Sequence, residues 1–260
     1  MNYNFHTHTY HCSHATGTPE EYVLRAIEGG ITEMGFSDHF PLRFEDGTEN
    51  IARVPVRDVP THLAEIAELK EKYKKKIKIY LGFEMEYYAD YFEAMKAKAK
   101  EYGAEYLLLG EHYFIPENTP EGRMHTSKPT ADEQRLVRYT DAVIEGMRTG
   151  AFTYVAHPDV LNFTKDNNEL YKAQARRIAE ASLSLDIPLE INFLGIRDHR
   201  HYPRALFWQV VAEIGSPVTF GFDAHSADVA YDPQSIKVAK KMVSDLGLNY
   251  IGRPIFRPIL

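Results

Sequence analysis

The sequence predicts an α/β fold: a parallel barrel in a single domain spanning 1–260, somewhat smaller than the common eight-stranded kind. Three observations predict it. Short apolar runs of strand type alternate seven times with longer stretches of helical spacing. Those runs are apolar enough for a parallel sheet covered on both faces. The chain of 260 residues contains no Ser/Gly linker, low-complexity stretch or short repeat at which to divide it.

The first strand is read at 3–5 and the helix after it at 19–28, with Pro19 in a first turn that needs no amide hydrogen and Gly29-Gly30 at its end. The second strand, 33–36, leads through a long loop, 38–58, to a helix at 59–73. Lys70-Glu71-Lys72-Tyr73-Lys74-Lys75-Lys76 closes that helix, where cations complement the helix dipole. A third strand at 77–83 is paired with a helix at 88–102, ended by Gly103. The fourth strand, 106–109, opens a second long loop, 111–130, before a helix at 131–149 ended by Gly150. The last three pairs are 152–156 with 169–185, 188–193 with 203–214, and 217–222 with 233–246; Pro203 and Pro233 suit first turns, Gly215 and Gly247 suit ends. Long loops after barrel strands usually form the rim of an active site.

The chain carries a net charge of −7, with 44% hydrophobic residues, a soluble globular composition. Net acidity argues against a nucleic-acid partner held by bulk attraction. No apolar run of about 18 residues offers a membrane span. Cys12 is the single cysteine, so no internal disulfide forms. With Met1-Asn2-Tyr3-Asn4-Phe5-His6 lacking the charge pattern of a signal peptide, a reducing, cytoplasmic location is expected.

The unusual count is twelve histidines. His6-Thr7-His8 places two imidazoles on one face of the first strand, about 7 Å apart at their roots, close enough to share a cation. The second strand ends in Ser37-Asp38-His39, the third in Glu84-Met85-Glu86, the fourth in Gly110-Glu111-His112, the fifth in Ala156-His157-Pro158 and the seventh in Asp223-Ala224-His225. In a parallel barrel those ends meet on one rim. Nitrogen and carboxylate donors without thiolate suit zinc, manganese or iron, and so many of them suit two or three ions with one carboxylate bridging. Zinc is the first choice on histidine richness.

Together, His6-x-His8 with His14, Asp38-His39, Glu84, His112, His157 and Asp223-x-His225 resemble the motifs of the polymerase-and-histidinol-phosphatase (PHP) family, over nearly the whole chain. The resemblance implies a distorted (β/α)7 barrel carrying three divalent metal ions. It implies His6, His8, Glu84 and Asp223 as ligands of one ion. Glu84 would bridge to a second ion held by His112 and His157, and His14, His39 and His225 would hold the third. Free-standing members of this length resemble histidinol-phosphate phosphatases. Asp38-His39-Phe40-Pro41 and Asn192-Phe193-Leu194-Gly195-Ile196-Arg197 fit that subgroup; Leu109-Gly110-Glu111-His112-Tyr113-Phe114 departs from its usual Ser-Val-His-Phe.

The implied activity is metal-dependent hydrolysis of a small phosphate monoester, L-histidinol phosphate, to L-histidinol and phosphate by a metal-bound hydroxide. Glu84, Asp223 and His225 are then catalytic. Arg197, after the one strand without a metal ligand, is a forked phosphate clamp. His199 and Tyr113 are candidate substrate contacts, and His199 or His201 could protonate the leaving oxygen. Asp38 would orient a ligand, act as an acid/base group or cap a helix, and Cys12 is a non-ligating neighbour. His11 is a near-site or loop residue, His125 a surface residue that the long fourth loop could instead bring to the site, and His62 structural or solvated. Rival readings keep the site and change the substrate to phosphotyrosine, nucleotides or DNA ends. Others make the chain an amide or lactone hydrolase, or a metal-binding regulatory module without catalysis.

Overall fold

A computed structural model describes residues 1–259. Eight strands form one parallel sheet in sequence order: β1 (Tyr3–Asn4), β2 (Glu33–Phe36), β3 (Lys78–Met85), β4 (Tyr106–Leu109), β5 (Tyr154–Val155), β6 (Leu189–Asn192), β7 (Pro217–Gly221) and β8 (Asn249–Tyr250). Eight helices lie between them among the described residues, two of them between β6 and β7: α1 (Pro19–Glu28), α2 (Val59–Tyr73), α3 (Phe92–Glu101), α4 (Glu133–Arg148), α5 (Asn168–Leu185), α6 (Phe193–Arg197), α7 (Ala205–Ile214) and α8 (Pro233–Leu246).

The sheet curls into a distorted barrel, as the alternation predicts. Its closure differs from a regular barrel. β1 and β8 are the edges of the hydrogen-bonded order, yet the segments after β1 and β7 meet, with His8 N donating to Ala224 O at 2.9 Å. The rim is thereby joined through seven strands. The eighth, two residues long, pairs with β7 at the base and is too short to show a period in sequence. α3 starts at Phe92 rather than 88, because Tyr91 N donates to Tyr88 O in a turn before it. α6 is a further difference: β6 runs directly into a short helix, capped by the Asn192 side chain accepting from Gly195 N.

Local chemistry accounts for the element ends. Thr18 and Glu21 form a reciprocal capping box on α1, and Pro19 fills its first turn. Outside the sheet, α4 packs on α5 and α5 on α7, with Trp208 of α7 fully buried. Inside the barrel, Tyr3, Phe5, Tyr80, Tyr106, Leu108 and Tyr154 form a separate apolar layer. Phe256 from the C-terminal tail stacks on Tyr106 at a centroid distance of 4.6 Å. This aromatic plug fills the base, and the polar side chains collect at the opposite end, after the strands.

No helix among the described residues is long and apolar enough to cross a membrane.

Candidate metal centre

The strand ends bring the nine expected ligands together. Glu84, at the end of β3, lies at the middle, buried. Its Oε2 is 3.4 Å from His6 Nε2, 3.3 Å from His8 Nε2 and 3.2 Å from His39 Nδ1. Its Oε1 is 2.8 Å from His157 Nε2 and 3.6 Å from His112 Nε2. Asp223 Oδ1 is 3.6 Å from His6 Nε2 and 3.4 Å from His8 Nε2. His14 Nε2 and His225 Nε2 face each other at 3.0 Å. His157 and Asp223 hold positive φ, 29° and 45°, a conformation non-glycine residues keep mainly at functional sites.

The donor chemistry fits cations. His14 Nδ1–H donates to Cys12 O at 2.7 Å, and His225 Nδ1–H is directed at Asp223 O at 3.3 Å. A carbonyl only accepts, so in each neutral ring the Nε2 carries a lone pair. Burial lowers both rings, His14 to about 4, so they are neutral near pH 7. Two lone pairs facing each other at 3.0 Å repel unless a cation lies between them. At Glu84, Oε2 lacks a hydrogen-bond partner and Oε1 has only the His157 ring beside it. Burial opposes ionisation of Glu84, but the raised imidazoles of His6 and His157 outweigh it and hold the carboxyl well below its usual range. Burial also opposes a charge on His6, yet Glu190, Asp223 and Glu84 raise it to about 10. The floor of the site therefore draws in positive charge, which a metal cation satisfies. Burial pushes His112 down to about 3, leaving the neutral form that binds metal.

Supporting groups fix these side chains. Asn192 Nδ2 donates to Asp223 Oδ2 at 3.0 Å and to Glu190 Oε2 at 2.9 Å. Glu190 Oε2 accepts from His157 N at 2.9 Å, and its Oε1 lies 2.7 Å from His6 Nδ1. β6 thus supplies outer acceptors to a site for which it supplies no ligand. The sequence signal was available: Glu190 and Asn192 are i and i+2 polar residues in a buried strand, so they share a face. Two glycines leave room for the carboxylates: a Cβ at Gly110 would lie 2.1 Å from Glu84 Oε1, and one at Gly221 1.5 Å from Glu190 Oε1.

A cavity of about 460 Å³ opens above the cluster. Arg197 and Arg200, after β6, line it together with Glu86, after β3, and Glu117, after β4. Arg53 is buried among them, its Nη2 2.7 Å from Glu86 and 3.0 Å from Glu117. Tyr113 also lines the cavity. Arg197 donates through Nη1 to Phe222 O and Asp232 and through Nη2 to Asp223 O, leaving Nε–H and one Nη2–H uncommitted.

Several expectations change. His199 lies apart from this cavity and lines another, of about 520 Å³, beyond Arg197; the loop turns it outward at φ 51°. His201 Nε2 donates to Val160 O at 2.7 Å, which occupies that nitrogen. His125 takes the alternative of the two positions the sequence left open: it lines the metal-side cavity, its ring 5.5 Å from His112. His11 pairs with Glu65 of α2 at 2.6 Å, away from the cluster. His62 is fully buried beside it and structural, not solvated. Asp38 caps no helix; it accepts from Thr9 N at 2.6 Å and Thr9 Oγ1 at 2.9 Å, shaping the loop after β1. Cys12 is buried and donates to Thr9 O, close to His8 and Asp38. Arg53, Glu86, Glu117 and Arg200 were not singled out by sequence, because nothing local distinguishes a cavity-lining charge from a solvated one.

The family model for the PHP domain matches residues 4–193. The chain belongs to the PHP family. Among its PHP relatives is a Deinococcus radiodurans protein named "Probable histidinol-phosphatase", 26% identical over 226 residues, 85% of each chain. A histidinol phosphate phosphatase from Lactococcus lactis, solved with zinc, L-histidinol and phosphate, superposes with a TM-score of 0.72 at 19% identity, covering 96% of this chain and 95% of that one. A Listeria monocytogenes structure bearing a histidinol-phosphatase name gives 0.74 at 22% identity, covering 90% and 99%. These two likenesses show that the chain shares the PHP fold over nearly its full length.

Proposed function

We propose that the chain is a metal-dependent phosphomonoesterase that converts L-histidinol phosphate to L-histidinol and phosphate. The observation that carries the reading is the convergence of nine imidazole and carboxylate donors under one cavity, with lone pairs facing lone pairs at His14 and His225. His6, His8, Glu84 and Asp223 would hold one ion, Glu84 with His112 and His157 a second, and His14, His39 and His225 a third. The division of Glu84 supports a bridging role, since Oε2 faces His6, His8 and His39 while Oε1 faces His112 and His157. Zinc is the metal this histidine-rich set suits best.

When bound, the ions would make a water nucleophilic near neutral pH and offset charge on the phosphoryl oxygens. The protein supplies the rest. Arg197 and Arg200 provide guanidinium donors for a phosphate dianion, Arg197 through its uncommitted N–H groups. Arg197 also binds the carbonyls of Phe222 and Asp223, so it positions the segment that presents Asp223 and His225. Glu190 and Asn192 hold His6 and Asp223 in orientation.

The cavity is acidic as well as basic. Glu86 and Glu117 line it and share one guanidinium, Arg53. An anionic head beside a cationic body matches such a lining, and L-histidinol phosphate carries an ammonium and an imidazole. The histidinol-phosphatase names of the relatives support the same substrate.

The test is phosphate release from L-histidinol phosphate by zinc- or manganese-loaded protein, beside p-nitrophenyl phosphate and a mononucleotide. A kcat/KM orders of magnitude higher for L-histidinol phosphate, abolished by chelator, is expected. Equal slow rates on all three would remove the substrate assignment and keep the phosphoesterase.

A further inference from the structure

His125 sits in the loop between β4 and α4 and reaches the metal-side cavity. Its ring is held on two sides: Tyr113 meets it edge-on at 5.1 Å, and His112 lies 5.5 Å away. Its hydrogen bonds to protein all fall on Nδ1. The backbone N–H of Ser127 donates to that atom at 3.0 Å, and Ser127 Oγ lies 2.8 Å from it. A backbone amide can only donate, so Nδ1 carries a lone pair and the ring hydrogen resides on Nε2. Most histidine tautomers must be assigned from ambiguous partners; here the partner decides. The result is a neutral, fixed N–H donor beside the candidate ligands His112 and His157, without a protein acceptor.

We propose that His125 is a further catalytic residue, its Nε2–H donating a hydrogen bond to a phosphoryl oxygen of the substrate. The proposal rests on the phosphomonoesterase reading. A phosphate monoester has three terminal oxygens, and the metal ligands and arginines contribute no neutral, preoriented donor. A donor fixed before substrate arrives needs no reorganisation as charge develops on that oxygen. No proton is transferred: the committed Nδ1 keeps the ring in its neutral form throughout.

The deciding pair of variants is His125→Asn and His125→Gln. Asn offers Oδ1 to the Ser127 amide but reaches no further, so it loses the donor. Gln places an amide N–H near the position of Nε2. Metal-loaded proteins are compared for bound metal per chain, calorimetric affinity for inorganic phosphate, and kcat/KM on L-histidinol phosphate. His125→Asn is expected to keep its metal and to lose about 10- to 100-fold in both phosphate affinity and kcat/KM, the effect of one hydrogen bond to a charged group. His125→Gln is expected to recover most of both. Wild-type values in His125→Asn would overturn the proposal. So would an equal loss in a folded His125→Gln, which would make the ring a packing element, or loss of metal, which would make it a ligand. A wild-type protein that neither binds phosphate nor hydrolyses any ester overturns the phosphomonoesterase reading itself, and is seen before any variant is made.

Discussion

His6 turns its Nδ1 onto Oε1 of Glu190 at 2.7 Å, and this contact aims the opposite nitrogen at His8, Glu84 and Asp223. A carboxylate behind a metal-binding imidazole fixes ring orientation and raises its basicity. Glu190→Gln removes that charge while keeping the shape. Metal affinity or turnover should fall about 10- to 100-fold. Metal content after dialysis against a buffered zinc series checks this, and an unchanged affinity would make Glu190 a packing residue.

Gly110 is required by Glu84. A methyl group there would lie 2.1 Å from Glu84 Oε1, and the carboxylate would have to leave its place between the histidines. Gly110→Ala should therefore reproduce the loss of bound metal expected of Glu84→Ala, with turnover down about 100-fold. Both variants should retain their far-ultraviolet circular dichroism. Full metal content in either would argue against a bridging Glu84.

Removing metal should destabilise the fold. The facing lone pairs of His14 and His225 are relieved by a cation between them, and Glu84 and Asp223 add carboxylate charge beside it. Zinc at about 100 times its dissociation constant should add about 2.7 kcal/mol. The readout is the thermal midpoint across a zinc titration of chelated protein; no movement on verified metal loss would contradict the fit.

Arg53 ties three rim loops together. From the loop after β2 it donates to Phe40 O, and it pairs with Glu86 after β3 and Glu117 after β4. All three charges are buried. Arg53→Met leaves carboxylates unpaired, a loss of about 3–5 kcal/mol by denaturant unfolding. Adding Glu117→Gln should restore part of it; additive losses would show that the pair is not coupled.

Asp232 gives a pH signature from outside the candidate ligand set. Its carboxylate caps α8 through Ser235 N at 2.9 Å and pairs with Arg197 at 3.1 Å. Burial raises the carboxyl, but Ser235 and Arg197 outweigh it and hold the group below its ordinary 3.8. A depressed folded value gives stability that is fully present above 3.8 and is lost as pH falls through the folded value. Asp232→Asn keeps a capping oxygen and loses the charge. It should unfold more easily by about 1 kcal/mol at neutral pH, with the gap closing in acid. A gap independent of pH would place the effect elsewhere.

The sequence by itself determined the alternation of strands and helices and the candidate donors at the strand ends. Both are local: apolar runs report strands, prolines and glycines report helix ends, and a donor at a strand's last residue reaches the rim of a parallel barrel. α1, α2 and α8 begin and end where those signals place them. Tertiary structure decided everything that depends on distant partners. His6 and Glu190 are 184 residues apart, and only the closing of the sheet makes them neighbours. It also decided that His125 turns into the cavity while His199 turns away, since a loop's path is set by what it packs against. The same holds for Arg53, whose three partners come from separate loops. The two-residue β8 became a strand only through pairing with β7.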